Sequence, residues 1–110
     1  MTDFVLLHGT AQSASGWDRL VAALEARGHH GWTVELASSA EMSAEDYAAE
    51  VRREVPETVE RPVVVAHSGA GLLLPAAARL LTAQRQVWLG AIIPDGHQSL
   101  LEELRVAPEE

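Results

Sequence analysis

The chain has 110 residues, 47% hydrophobic and 22% charged, with a formal net charge of −8 and no cysteine. Such a length buries roughly 60–68% of the unfolded surface in one small globular domain, without a disulfide framework or a thiolate metal site. An acidic surface repels phosphate backbones, and no apolar run approaches the roughly 18–20 residues of a membrane span, so neither nucleic acid nor membrane is an expected partner.

Residues 4–8 (Phe-Val-Leu-Leu-His) are continuously apolar and read as a strand covered on both faces, as in a parallel sheet. No basic n-region precedes them, so no signal peptide is expected and a cytoplasmic location is the default. Residues 9–16 are small and polar, a loop. Ser15 and Asp18 then show capping-box spacing. Trp17, Leu20, Val21 and Leu24 form one helix face, which Gly28 ends. Residues 32–37 are a second strand. Ser43 and Asp46 repeat the capping spacing, and Tyr47, Val51 and Val55 stripe a second helix. Pro56 and Pro62 bracket a connector into a third strand, residues 63–66. A third helix is expected over 69–83, with Leu72, Leu73, Leu80 and Leu81 buried. Pro75 kinks it if it falls beyond the first turn. Residues 87–93 make a fourth strand closed by Pro94-Asp-Gly, and Ser99 and Glu102 cap a last short helix. Four strand–helix alternations mean an α/β fold with a parallel sheet, and residues 1–110 show no repeat or linker.

Residues 62–74 carry the chemistry. A β-branched run ends in Ser68, flanked by Ala66 and Ala70, and a helix-compatible stretch follows at once. Small-x-Ser-x-small between strand and helix is the signature of a nucleophile elbow. The tight turn pushes the hydroxyl into the open, and bulky neighbours would collide with it. A dipeptide His8-Gly9 follows the first strand, and Gly16-Trp17 opens the first helix.

These motifs, in this order, resemble the N-terminal part of the α/β-hydrolase superfamily. The esterase and hydroxynitrile-lyase-like branch is suggested by Leu-Ala-Ser-Ser-Ala (36–40), Glu45-Asp-Tyr-Ala and Ile93-Pro-Asp-Gly. The resemblance implies that Ser68 attacks an acyl carbonyl. It implies an oxyanion hole from the Gly69 N–H and from the loop after the first strand, at Thr10 or alternatively at Ala11. It also implies a strand order of 2-1-3-4, with the first helix on one face and the next two on the other. Family members continue into a cap and the strands that carry the acid and the histidine base. Those parts have no counterpart here, and a serine without a base is a weak nucleophile.

The histidines divide accordingly. His8 matches the family's structural residue of the oxyanion loop, His67 should pack away from the pocket, and His29 and His30 read as a solvated pair after the first helix. Asp95 and His97, after the fourth strand, form a candidate substitute acid–base pair; the competing reading is turn chemistry and a surface histidine. No metal-ligand spacing occurs, and Gly69-Ala-Gly71 is too short for dinucleotide binding, so no cofactor is implied. Two functions stand. One is a carboxylic-ester hydrolase acting on a small ester-like substrate, with a cyanohydrin lyase as a variant. The other is a non-catalytic or split module that binds a small ligand or assembles. The missing half should leave an open edge on the fourth strand and, unless helix 99–105 folds over it, an apolar face on the third and fourth strands. A homo-oligomer or a complementing second chain is therefore expected.

Overall fold

The apolar runs become four parallel strands in the computed structural model, which describes residues 1–9, 12–36 and 42–93. They are β1 (Asp3–Leu7), β2 (His30–Val34), β3 (Val63–His67) and β4 (Arg85–Leu89), in the order β2-β1-β3-β4 that the family resemblance implied. Val5 lies opposite Trp32 on one side and Val64 on the other, and Leu7 lies opposite Val34 and Ala66.

Because side chains alternate along a strand, β1 feeds two cores at once. Val5 and Leu7 point with Val34, Val64 and Ala66 toward α2 (Ala44–Glu54) and α3 (Leu74–Leu80). Leu6, Val63 and Val65 point the other way, toward Trp17 and the Val21 and Leu24 side chains of α1 (Asp18–Ala26). Val5, Leu6 and Leu7 are all fully buried, which is why this strand reads as an unbroken apolar run.

The helix ends follow the sequence unevenly. Ser43 caps α2 as expected: its hydroxyl accepts from the Asp46 N–H at 3.1 Å, and the Asp46 carboxylate accepts from the Ser43 N–H at 3.0 Å. Such a cap contributes about 1 kcal/mol. The Ser15–Asp18 box does not form. Residues Ala14–Trp17 make a 3-10 turn, and Ser15 Oγ bonds Ser13 Oγ instead. Trp17 belongs to that turn and is out of phase with Leu20, which is exposed. Gly28 does stop α1. With φ +84° it lets His29 N–H reach the Leu24 carbonyl while its own N–H reaches Glu25, a Schellman closure.

The single third helix expected over 69–83 is instead a 3-10 turn (Ser68–Leu72) followed by α3. Pro75 falls in the first turn of α3, where its missing N–H costs nothing, so no kink arises. Leu74, Ala77 and Leu81 form the buried stripe, which leaves Leu80 exposed. The second and fourth strands also shift. β2 begins at His30, and β4 stops at Leu89 because Gly90 turns the chain at φ +54°.

The apolar face expected to stay open on both last strands is confined to the fourth. Val63 and Val65 are buried, whereas Leu89 on the same face of β4 is exposed; Trp88, exposed too, belongs to the opposite face. The expected helix after residue 98 lies outside the described residues. No helix among the described residues is long and apolar enough to cross a membrane.

Candidate active site

β3 delivers Ser68 to the carboxyl end of the sheet, where open α/β folds bind their ligands. Among the described residues three non-glycine positions have positive φ: Arg61 at 46°, Ser68 at 55° and Thr82 at 52°. Arg61 and Thr82 precede the strands at the opposite end. Of these three only Ser68 lies at the ligand end, in a conformation costing a non-glycine residue on the order of 1–3 kcal/mol. The chain goes from extended at His67 straight into the 3-10 turn, the sharp strand-to-helix bend expected of the elbow.

The small neighbours have identifiable work. A Cβ on Gly9 would lie 2.9 Å from Ser68 Cβ, 2.9 Å from Gln12 Oε1 and 3.1 Å from the His67 carbonyl, so the loop after β1 touches the elbow through a bare backbone. A Cβ on Gly71 would collide with the Ile92 carbonyl oxygen. The segment after β4 therefore lies across the 3-10 turn, and Ile92 N–H donates to the Ser68 carbonyl at 3.0 Å. Gly69 is buried in the first turn of that helix, where no preceding intrahelical carbonyl can accept its N–H. No other bond from this N–H occurs among the described residues.

His8 is buried and spends both ring nitrogens on backbone. Nδ1 bonds the Gly9 carbonyl at 3.0 Å, which assigns the proton there, and Nε2 accepts from the Leu36 N–H at 2.8 Å. Glu35 Oε2 stands 3.1 Å from the same Nε2, an ion pair only when the ring is doubly protonated. The ring thus ties the end of β1 to the end of β2. It is structural, as expected. His67 packs edge-on against Trp17, ring centroids 6.4 Å apart, and its Nδ1 bonds Gln12 Oε1 at 3.0 Å. His29 is not simply solvated: Nδ1 accepts from the Thr2 N–H at 3.0 Å and the ring meets Phe4 edge-on. His30 opens β2 and leans on Trp32.

Thr10, Ala11, Asp95 and His97 lie outside the described residues. Ser68 and Gly69 are brought together with Gly9, which the sequence named only as part of a dipeptide. Gln12 was missed. Its signal was available, since it is the one long side chain in a loop of otherwise small residues, 9–16. A groove of about 280 Å³ opens at the opposite end, between Arg52, Pro56, Val59, Glu60, Arg61 and Thr82. It mixes both charges near the carboxyl ends of α2 and α3 and is remote from Ser68.

The model of the Alpha/beta hydrolase family matches residues 4–109. The chain belongs to that family. Among solved structures, this α/β hydrolase resembles polyneuridine aldehyde esterase, with 27% identity and a TM-score of 0.76, over 99% of this chain and 48% of that one. An extracellular alpha/beta-hydrolase from a Paenibacillus species shares the fold at 22% identity and TM-score 0.73, covering 86% of this chain and 42% of that one. A methylesterase from Arabidopsis does so at 21% identity and TM-score 0.68, covering 84% and 44% respectively. No curated protein sequence matches. The α/β hydrolase described here thus spans less than half the length of these solved relatives.

Proposed function

We propose that this α/β hydrolase carries the nucleophile half of a carboxylic-ester hydrolase. Ser68 Oγ bonds the acyl carbon of a small ester as a base removes its proton, and the Gly69 and Thr10 amides hold the oxyanion. The ester C–O bond then breaks, the alcohol leaves with that proton, and water activated by the same base releases the acid and restores Ser68. The left-handed backbone of Ser68 at the end of β3 is the observation that carries this reading, because strained positions of this kind cluster at active sites and this one lies at the ligand end of the sheet. The esterase-type relatives support the substrate class. The base is the Asp95–His97 pair or a histidine of a complementing chain. A cytoplasmic location belongs to the same proposal, although one relative is extracellular.

A second reading, a non-catalytic binding or assembly module, is favoured by one specific fact. Among the described residues Ser68 Oγ makes no hydrogen bond, and the histidines there are engaged elsewhere or lie at the far end of the sheet. A fluorophosphonate probe followed by intact mass measurement separates the two. The expected result is one adduct on the wild type and none on Ser68→Ala. A folded wild type that takes up no probe would overturn the hydrolase reading.

The proposal extends to assembly. Among the described residues β4 pairs only with β3, and it offers exposed Trp88 and Leu89 beside an unpaired backbone edge. Sedimentation at micromolar concentration is expected to show a dimer or larger species. A monodisperse monomer that binds no apolar dye would rule this out.

A further inference from the structure

One side chain bonds both halves of the site. Gln12 Oε1 accepts from the Gly9 N–H at 2.9 Å and from His67 Nδ1 at 3.0 Å. A backbone N–H only donates, so the amide atom facing Gly9 is the oxygen. That same oxygen places the proton of His67 on Nδ1. The Gln12 N–H returns to the Gly9 carbonyl at 3.1 Å. Both polar groups of Gly9 are thereby committed: its N–H to the Gln12 side chain, its carbonyl to the Gln12 N–H and to His8 Nδ1. The far end of the clamp is His67, the residue immediately before Ser68.

We infer that Gln12 is a positioning residue that locks Gly9, at the end of β1, to His67 and so to the strand end carrying Ser68. It touches neither the attacked carbon nor the leaving group. It acts through Gly9 and His67, setting the peptide plane of Gly9 and the side from which the elbow meets it. The inference rests on the esterase reading in that Ser68 is taken as the nucleophile whose approach the clamp fixes. A single side-chain oxygen suits the task because it accepts two N–H bonds at once.

The test uses three full-length proteins: wild type, Gln12→Met, which keeps the length but not the acceptor, and Gln12→Glu, which restores an acceptor oxygen. Two readouts are taken on each. The first is the rate of fluorophosphonate adduct formation at Ser68. It is expected to fall about 10- to 100-fold in Gln12→Met, within the range for misplacing one oxyanion donor, and to recover substantially in Gln12→Glu. The second is the nitrogen-15 signature of His67, expected as the Nδ1–H tautomer in wild type and Gln12→Glu and as the Nε2–H form in Gln12→Met. Equal labelling rates in all three would overturn the inference while leaving Ser68 an activated serine. A loss in Gln12→Met that Gln12→Glu does not rescue, with lowered melting temperature in both, would reduce Gln12 to a structural residue and also overturn it. If the wild type takes no label, the esterase reading fails on its own, and an unchanged His67 tautomer in Gln12→Met would separately dismiss the clamp.

Discussion

Gly71→Ala is expected to lower the unfolding free energy by about 3 kcal/mol or more, a loss of roughly 10–20 °C in melting temperature for a domain of this size. The added methyl would occupy the space of the Ile92 carbonyl oxygen and press on Ala91 Cβ, 2.9 Å away. Neither neighbour is a flexible side-chain tip, so the backbone after β4 must lift. Lifting it removes the Ile92 N–H bond to the Ser68 carbonyl, itself worth on the order of 1 kcal/mol. Gly16→Ala is the control. Nothing lies within 4 Å of its added Cβ and its φ is not left-handed, so its melting temperature should stay at or slightly above wild type. Calorimetry on the pair decides the matter; an unchanged melting temperature in Gly71→Ala would mean that the strand-end segment yields without cost.

Gly9→Ala should be mild for the fold and severe for the site. The new Cβ would sit 2.9 Å from both Ser68 Cβ and Gln12 Oε1, so the loop and the elbow must separate or the clamp must open. Overpacking of this kind costs about 1–3 kcal/mol. A displacement approaching 1 Å between reacting groups costs about 100-fold in rate, so labelling of Ser68 should fall by at least about that factor while the protein stays folded. Measuring adduct formation beside a melting curve separates the two effects. A variant that labels as fast as wild type would show that close contact between loop and elbow is irrelevant to serine reactivity.

Both substitutions mark where sequence reasoning ends. A glycine in the sequence announces that a Cβ is unwelcome or that φ is positive, but not which neighbour forbids it. Gly28 could be read as a helix stop because the reason is local: a left-handed residue closing its own helix. Gly9 and Gly71 are needed because of Ser68 and Ile92, far away along the chain. The same division explains the other departures. Composition does not distinguish a 3-10 turn from the first turn of an α-helix, so Leu20 and Leu80 were placed on buried faces that the true phase turns outward. His29 was read from its position after a helix, whereas its partners, Thr2 and Phe4, come from the neighbouring strand.

What the amino-acid order determined by itself was the periodic and the local. Continuous apolar runs meant buried parallel strands, the Ser43–Asp46 spacing meant a capped α2, and a serine between alanines at a strand end meant a sharp turn from strand to helix. These signals survive because each arises within a few residues of backbone. Tertiary structure decided everything that needed two distant segments: the contact of Gly9 with the elbow, the carbonyl of Ile92 over Gly71, and the amide of Gln12 between Gly9 and His67. The two Gln12 bonds, 2.9 and 3.0 Å long, depend on how β1 and β3 lie side by side, and the Ile92 contact on how β4 lies beside β3, a register that hydrophobic pattern allows but does not aim.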